Sequence, residues 1–313
     1  MPSSKFTAAS LPDLSNKTFV VTGGNTARGA QVYMGARSRI KADDAIQEIK
    51  KTVPSANIHF LELDLSNFSS VLKAAKTLLE TESALDGLVN NAGIMAVPFA
   101  MTEDGFEVQF QTNYLSHWLL TYHLLPLLQK TSAATGSFAR LVNVTSDGHD
   151  LAAPKDGIKF DDISLETSNA MARYGQSKLA NILHAKELNR RYGPESSGSA
   201  SEGGKAIFAA VHPGHIDTNL NKQATGMAPS MILRVATPIM RCVGILDAQS
   251  KGALSSLWAV ASNNFKPSDS GAYVVPYAVI GTPSAYARDP ALATKLYDWT
   301  EEQLSKKGLL TMK

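Results

Sequence analysis

Residues 18–36 read TFVVTGGNTARGAQVYMGA, and the two ends of this stretch set the class of fold. Residues 18–22 are a short apolar run leading into Gly23 and Gly24, the pattern of a buried strand entering a tight turn. Residues 31–36 form a second run of strand length. Towards the C-terminus the same kind of run recurs at 58–63, 87–90, 140–145, 206–211 and 272–276, making seven strands. Between them the apolar residues take a helical period, over 42–53, 68–82, 102–130, 170–192, 250–262 and 290–303. Pro126 is expected to kink or break the third of these helices near its end. Short buried strands alternating with helices predict a doubly wound α/β fold, a mostly parallel sheet with helices on both faces.

The opening stretch also holds an anomaly. About six residues, 25–30, separate the first two strands. A crossover between parallel neighbours takes about a dozen or more. Six extended residues reach roughly 20 Å and leave nothing from which to build a helix. The first βα unit is therefore truncated, and three explanations stay open. The second strand pairs antiparallel, or its segment leaves the sheet, or the chain lacks a piece that its relatives have. A missing helix uncovers several hundred Å² of sheet, at roughly 5–10 kcal/mol, which is comparable to a whole domain's stability.

The 313-residue chain is that of a globular protein, 44% hydrophobic, with a net charge of +2. That balance argues against a nucleic-acid partner or a polybasic membrane anchor. No apolar run is long enough for a membrane span, and the first 17 residues carry no secretory pattern. Cys242 is the one cysteine, so no intrachain disulfide forms, which fits a reducing compartment. The expectation is a cytoplasmic protein. Residues 1–16 read as a polar tail, 147–169 as a long link and 193–204 (GPESSGSASEGG) as a low-complexity surface insertion. None separates two cores, so 17–313 is read as a single domain.

A glycine-rich turn after a first strand lets backbone approach a pyrophosphate, which makes Gly23, Gly24 and Asn25 candidate cofactor contacts. The second strand ends in Ala36-Arg37-Ser38-Arg39, with no carboxylate to bond the ribose hydroxyls of NAD. Arginine there suits a 2′-phosphate; the alternative is a pair of solvated loop charges. Asp64, beside Leu65 after the third strand, can accept from an adenine amino group or cap the following helix.

The catalytic candidates fall at strand ends and on one helix. Asn90-Asn91-Ala92-Gly93 follows the fourth strand, at the carboxyl edge where open α/β sheets bind ligands. Ser146 follows the fifth. Tyr174 and Lys178 lie four residues apart and share a helix face. A neighbouring ammonium is expected to lower the phenol pKa towards neutrality and make Tyr174 a usable acid and base. For Tyr-x-x-x-Lys alone, roughly half a match is expected by chance in such a chain. The order carries the weight: glycine turn, Asn-Asn-Ala-Gly, strand-end serine, Tyr-x-x-x-Lys, then Pro213-Gly214.

With these motifs the chain resembles the short-chain dehydrogenase/reductase family over residues 17–303. Within it, the 28-residue spacing from Ser146 to Tyr174 is similar to that of retinol-dehydrogenase-like reductases. The resemblance implies a Rossmann-like fold binding NADP(H), with NAD(H) disfavoured. It implies that Ser146 polarises the substrate oxygen, Tyr174 transfers its proton, and Lys178 binds the nicotinamide ribose and tunes Tyr174. Asn113 matches the family's helix asparagine that holds a water in the proton relay. Pro213, Gly214, Ile216 and Thr218 match the loop that holds the nicotinamide carboxamide, and Asn91, Ala92 and Gly93 the adenosine-side motif. Gly23 and Gly24 match the family's first turn; Ala27 and Gly29 align with its last two glycines only formally, so about a dozen residues and the pyrophosphate-binding helix start are missing.

The activity implied is carbonyl–alcohol interconversion on an apolar small molecule. The competing expectation, drawn from the short turn, is a catalytically impaired relative that serves as a binding or regulatory protein, or a defective truncated product. An epimerase or dehydratase is a third reading, disfavoured because such relatives carry a longer substrate domain. A homodimer through 102–130 and 170–192 is also implied. His212 and His215 form an His-x-x-His pair, but no cysteine or carboxylate stands at ligand spacing, so no metal is expected. His149 reads as a loop histidine or a substrate contact, and His117 and His123 as structural. Met227, Met231, Ile232, Leu233 and Ile239 read as an apolar lid or a core helix.

Overall fold

The fold is known from a computed structural model, which describes residues 6–23, 29–197, 204–215 and 249–311. The strands are β1 (Thr18–Thr22), β2 (Gln31–Ala36), β3 (Asn57–Glu62), β4 (Gly87–Asn90), β5 (Ala139–Val144), β6 (Ala206–Val211), β7 (Ala272–Val275) and β8 (Val279–Gly281). They form one sheet in the order β3-β2-β1-β4-β5-β6-β7-β8. Among the described residues the sheet has eight strands, not seven. The added strand is a three-residue return, antiparallel to β7 through Tyr273↔Gly281, and three residues carry too little apolar pattern to read as a strand. All other pairings are parallel.

The first two strands settle the anomaly. β1 and β2 pair in parallel, in the register Thr18↔Gln31 to Thr22↔Gly35. An antiparallel β2, or one outside the sheet, is thereby excluded. The reading that remains is a chain shortened between β1 and β2.

Helices α1 (Arg39–Thr52), α2 (Phe68–Thr81), α3 (Val108–Phe110), α4 (Ser116–Thr135), α5 (Gly148–Leu151), α6 (Ala170–Tyr192), α7 (Gln249–Ala261) and α8 (Pro290–Lys306) flank the sheet. Alternation along the strands sends Val20, Leu88, Leu141 and Phe208 to one face, under α2, α4, α6 and α8. Phe19, Val89, Val142 and Ile207 go to the other, under α7. Ser38 and Asn67 cap α1 and α2 by accepting from the Lys41 and Ser70 amides.

The expected helix 102–130 begins later and ends later. Residues 101–107 form a tight turn, closed by the Met101↔Glu107 bridge, so the helix starts at Val108. Pro126 lies inside α4, which continues to Thr135 and ends at Gly136 in the left-handed region. Leu119, Leu120, Leu124 and Leu128 are buried along it, and that packing outweighs one lost backbone hydrogen bond. The link 147–169 is not loop throughout, because it opens with α5.

The N-terminal segment departs from a polar tail. Phe6, Leu11 and Leu14 are buried in one cluster with Phe19, Ala30 and Val32. The steps β1→β2 and β2→β3 run in the same direction across the sheet. Right-handed crossovers therefore place both connections on one face, which is where a full β1–β2 helix would pack. The segment covers part of that surface. Leu14 is 2% exposed, so Leu14→Ala is expected to lower the unfolding free energy by about 2–5 kcal/mol in urea titration; a change under about 0.5 kcal/mol, typical of surface positions, returns the segment to a tail.

Candidate active site

The site is built at the carboxyl ends of β1, β4, β5 and β6. Thr22, last in β1, is fully buried. Its hydroxyl accepts from the amides of Asn91 and Ala92, each at 2.9 Å. Asn91 Nδ2 donates to the Thr22 carbonyl at 2.9 Å. These three bonds hold the Asn-Ala-Gly loop against the first turn. Gly23 has φ +65°, and a Cβ on it would lie 3.0 Å from that of Ala92, so the turn needs glycine for both conformation and space.

His117 completes this joint. Its Nδ1 lies 3.0 Å from the Asn113 carbonyl, which can only accept, so Nδ1 carries the proton. Nε2 is then the acceptor, and Thr22 Oγ1 donates to it at 2.9 Å. Burial drives the His117 pKa down to about 4, which keeps the ring neutral at pH 7 as this tautomer requires.

Asn113 sits in a π-helical turn, Gln111–Leu115, between α3 and α4. Such turns displace backbone carbonyls from the helical ladder and recur at functional sites. The Asn113 side chain accepts from the Ile94 amide at 2.8 Å and donates to the Ile94 carbonyl at 3.0 Å and Ser177 Oγ at 2.9 Å. A Cβ on Gly93 would lie 3.0 Å from Asn113 Oδ1 and 3.4 Å from Lys178 Nζ. Asn113, Lys178 and the Asn-Ala-Gly loop therefore meet at one place.

Helix α6 grips the end of β5. Lys178 Nζ and Asn181 Nδ2 both donate to the Val144 carbonyl at 3.0 Å, and Thr145 Oγ1 donates to the Lys178 carbonyl at 2.7 Å. Tyr174 lies one turn earlier, 4% exposed, with its ring centroid 5.7 Å from Lys178 Nζ. Gly148 lets the ring lie against the end of β5: a Cβ there would be 3.1 Å from Tyr174 Cε1 and 3.5 Å from Ser146 Oγ. Ser146, Tyr174, Lys178 and Asn113, scattered over 66 positions of sequence, thus converge.

The electrostatics correct one expectation. Tyr174 is pushed up to about 12, not down towards neutrality, because burial of the phenol dominates. The Ser146 hydroxyl opposes the shift and the Asp147 carboxylate adds to it. Lys178 falls to about 8 through its own burial, and its ammonium is turned to the Val144 carbonyl. Tyr174 is therefore a neutral acid with a proton to give. The Ser146 hydroxyl donates to Asp147 Oδ1 at 2.9 Å and accepts from the Gly148 amide at 3.1 Å.

On the adenosine side, Arg37 is exposed at the end of β2 and has no hydrogen bond or ion pair among the described residues. Arg39 differs: it lies 3.8 Å from Asp43 and over the Phe60 ring. Both line a groove of about 480 Å³ with Phe60, Glu62 and Lys73. Asp64 does not cap α2, since Asn67 does; Asp64 Oδ1 accepts from the amide and hydroxyl of Ser66, and among the described residues Oδ2 has no hydrogen-bond donor. Leu65 is buried, and its carbonyl accepts from Ser116 Oγ at 2.6 Å. Among the described residues, an exposed guanidinium after β2, a carboxylate after β3 and a turn that excludes Cβ atoms fit the adenosine half of a nicotinamide dinucleotide.

On the far side, Gly214 has φ +96° after Pro213, and a Cβ there would meet Pro276 at 3.1 Å. Gly24, Asn25, Ile216, Thr218, Cys242 and the apolar lid 227–239 lie outside the described residues. His149 is fully engaged, with Nδ1 on the Ser146 carbonyl at 2.7 Å and Nε2 accepting from the Ser284 amide at 3.1 Å. His123 Nε2 bonds the Leu309 carbonyl at 2.9 Å, holding the C-terminal segment.

A family model described as short chain dehydrogenase matches residues 22–155. The short-chain dehydrogenase/reductase drtF of Aspergillus calidoustus is 51% identical, over 96% of this chain and 97% of its own length. The chain belongs to the short-chain dehydrogenase/reductase family. Mouse retinol dehydrogenase 12 is 32% identical over 81% of this chain and 76% of its own. The crystal structure of a putative uncharacterized protein from Mycobacterium paratuberculosis superposes with a TM-score of 0.70 at 30% identity, covering 96% of this chain and 98% of that one. The drtF alignment spans 314 positions, but 96% of 313 residues is about 300, so about 14 positions have no residue in this family member. Retinol dehydrogenase 12 gives about 12 in the same way, since 81% of 313 is about 254 against 266 aligned positions. In number these totals are of the size of the dozen residues expected to be missing.

Sequence reasoning missed Thr22, His117 and Asp147 as parts of this site. His117 was legible only as a buried residue one helical turn after Asn113. Asp147 was hidden by its neighbour Ser146, which drew the whole assignment.

Proposed function

We propose that this chain is an NADP(H)-dependent oxidoreductase that interconverts a carbonyl and an alcohol on an apolar small molecule, retinoid-like or polyketide-like in character. The observation that carries the reading is the meeting of Ser146, Tyr174, Lys178 and Asn113 at one sheet edge, with the unpartnered Arg37 on the same edge. When bound, NADPH would supply the hydride in the reductive direction. Tyr174, neutral and buried, gives its phenolic proton to the oxygen as the carbonyl π pair moves onto it. Ser146 turns its hydroxyl from Asp147 to the same oxygen. Lys178, with Asn113, returns a proton to the tyrosinate. Among the described residues no helix is long and apolar enough to cross a membrane.

The short first turn favours a second reading, in which dinucleotide binding is lost and the scaffold only binds or regulates. Titration with NADPH and with NADH, followed by nicotinamide fluorescence, separates the two. NADPH is expected to bind the tighter, and Arg37→Ala to reduce that preference by about tenfold, the size of one charge-assisted contact. Absence of binding by either nucleotide to the folded protein selects the second reading.

A further inference from the structure

The fold brings a carboxylate to the histidine pair that the sequence left without one. Asp147 stands at the end of β5, and His212 and His215 follow β6, its parallel neighbour. One ligand atom from each residue lies within 4.8 Å of the other two. His215 Nε2 is 3.1 Å from Asp147 Oδ2, and the two imidazole rings are 5.8 Å apart. A tetrahedral zinc with bonds of about 2.0–2.2 Å holds its ligand atoms a little over 3 Å apart. Small rotations of the half-buried Asp147, at 32%, and the exposed His215, at 61%, close the remaining distance around the buried His212. His149, the other histidine nearby, has both ring nitrogens occupied and is no ligand.

We propose that Asp147, His212 and His215 bind a divalent transition-metal ion, with zinc as the best match, and that its binding inhibits turnover. Two histidines and one carboxylate are a donor set that zinc accepts with a position left open. The inhibitory part rests on the oxidoreductase reading. Asp147 already accepts the Ser146 hydroxyl at 2.9 Å, so a dication held there sits one residue from Ser146. It competes with Tyr174 for the substrate oxygen, and it anchors the end of β5 to the His212–His215 loop.

Zinc chloride is titrated into the metal-free full chain against a chromogenic chelator, which reads binding without turnover. One ion per chain is expected, and His215→Ala and Asp147→Asn are each expected to weaken it by at least roughly tenfold. His215 is exposed, so its variant tests the site without disturbing the core. No binding, or binding that neither variant weakens, overturns the site. NADPH oxidation by wild type is expected to fall along the same zinc curve and recover with chelator. Full turnover with zinc bound overturns the inhibition alone. A chain that binds zinc at this site but never NADPH keeps the site and rejects the oxidoreductase reading, so the two failures are distinguishable.

Discussion

Tyr174→Phe is expected to lower turnover by about three orders of magnitude while leaving NADPH affinity and the melting temperature near wild type. The size is that of a general acid removed from a site where no other group replaces it. Lys178 cannot serve, because its ammonium is bonded to the Val144 carbonyl at 3.0 Å. His149 cannot, because both nitrogens are held by backbone. Phenylalanine keeps the ring that packs on Gly148, so the fold gives no reason for a loss. Single-turnover reduction of an aromatic or apolar ketone reads the step directly. Activity within about threefold of wild type would remove Tyr174 from the mechanism and, with it, the proposed chemistry.

The direction of the Tyr174 shift also fixes what kind of acid it is. A phenol pushed up to about 12 holds its proton across the neutral range in the free protein, as proton donation to a new alkoxide requires. The expectation from sequence had the opposite sign, because it weighed Lys178 and not burial. Spacing of four residues places two side chains on one face, but it cannot say how much water reaches them. In the folded chain both groups are dry, and desolvation is the largest cause of each shift.

The same limit runs through the rest of the comparison. Parallel strands buried on both faces are read from continuous apolar runs, and seven of the eight strands follow from that alone. β8 does not, since it is three residues long and half exposed. Motifs carried by consecutive residues, such as Asn91-Ala92-Gly93, were legible in their place at the sheet edge. Contacts made by fold topology were not: Thr22 to His117 spans 95 positions, and Asp147 to His215 joins two strand ends. The N-terminal segment was misread because three apolar residues, Phe6, Leu11 and Leu14, are spaced too irregularly for either periodicity. They matter because the shortened β1–β2 link leaves a face to cover, and no local pattern records a vacancy made elsewhere in the chain.

Lys178→Met is expected to abolish most turnover and yet to stabilise the protein. The ammonium is 4% exposed, and its pKa falls from an ordinary 10.5 to about 8 through burial. Holding that charge at pH 7 costs the folded state about 3 kcal/mol. Methionine fills a similar volume without the charge. The Val144 carbonyl is not orphaned by the change, since Asn181 Nδ2 also donates to it at 3.0 Å. The pH dependence gives the sign. Between about pH 8 and 10.5 the unfolded chain keeps a proton that the folded chain has released, so wild-type stability rises with pH through that window. The variant has no such rise from this position. Its advantage is therefore greatest at pH 7 and below, and it fades as pH passes from 8 to 10.5. Urea unfolding at pH 7 and pH 10 measures both points. A variant less stable than wild type at pH 7, or one with an equal gain at both, would show that Lys178 is not a strained charge. Turnover is expected to fall by about 100-fold or more, because the tyrosinate then lacks its proton supply. A residue that weakens the fold by its presence and is indispensable to the reaction is explained by chemistry and not by packing, and this pair of measurements tests both halves of that statement on one side chain.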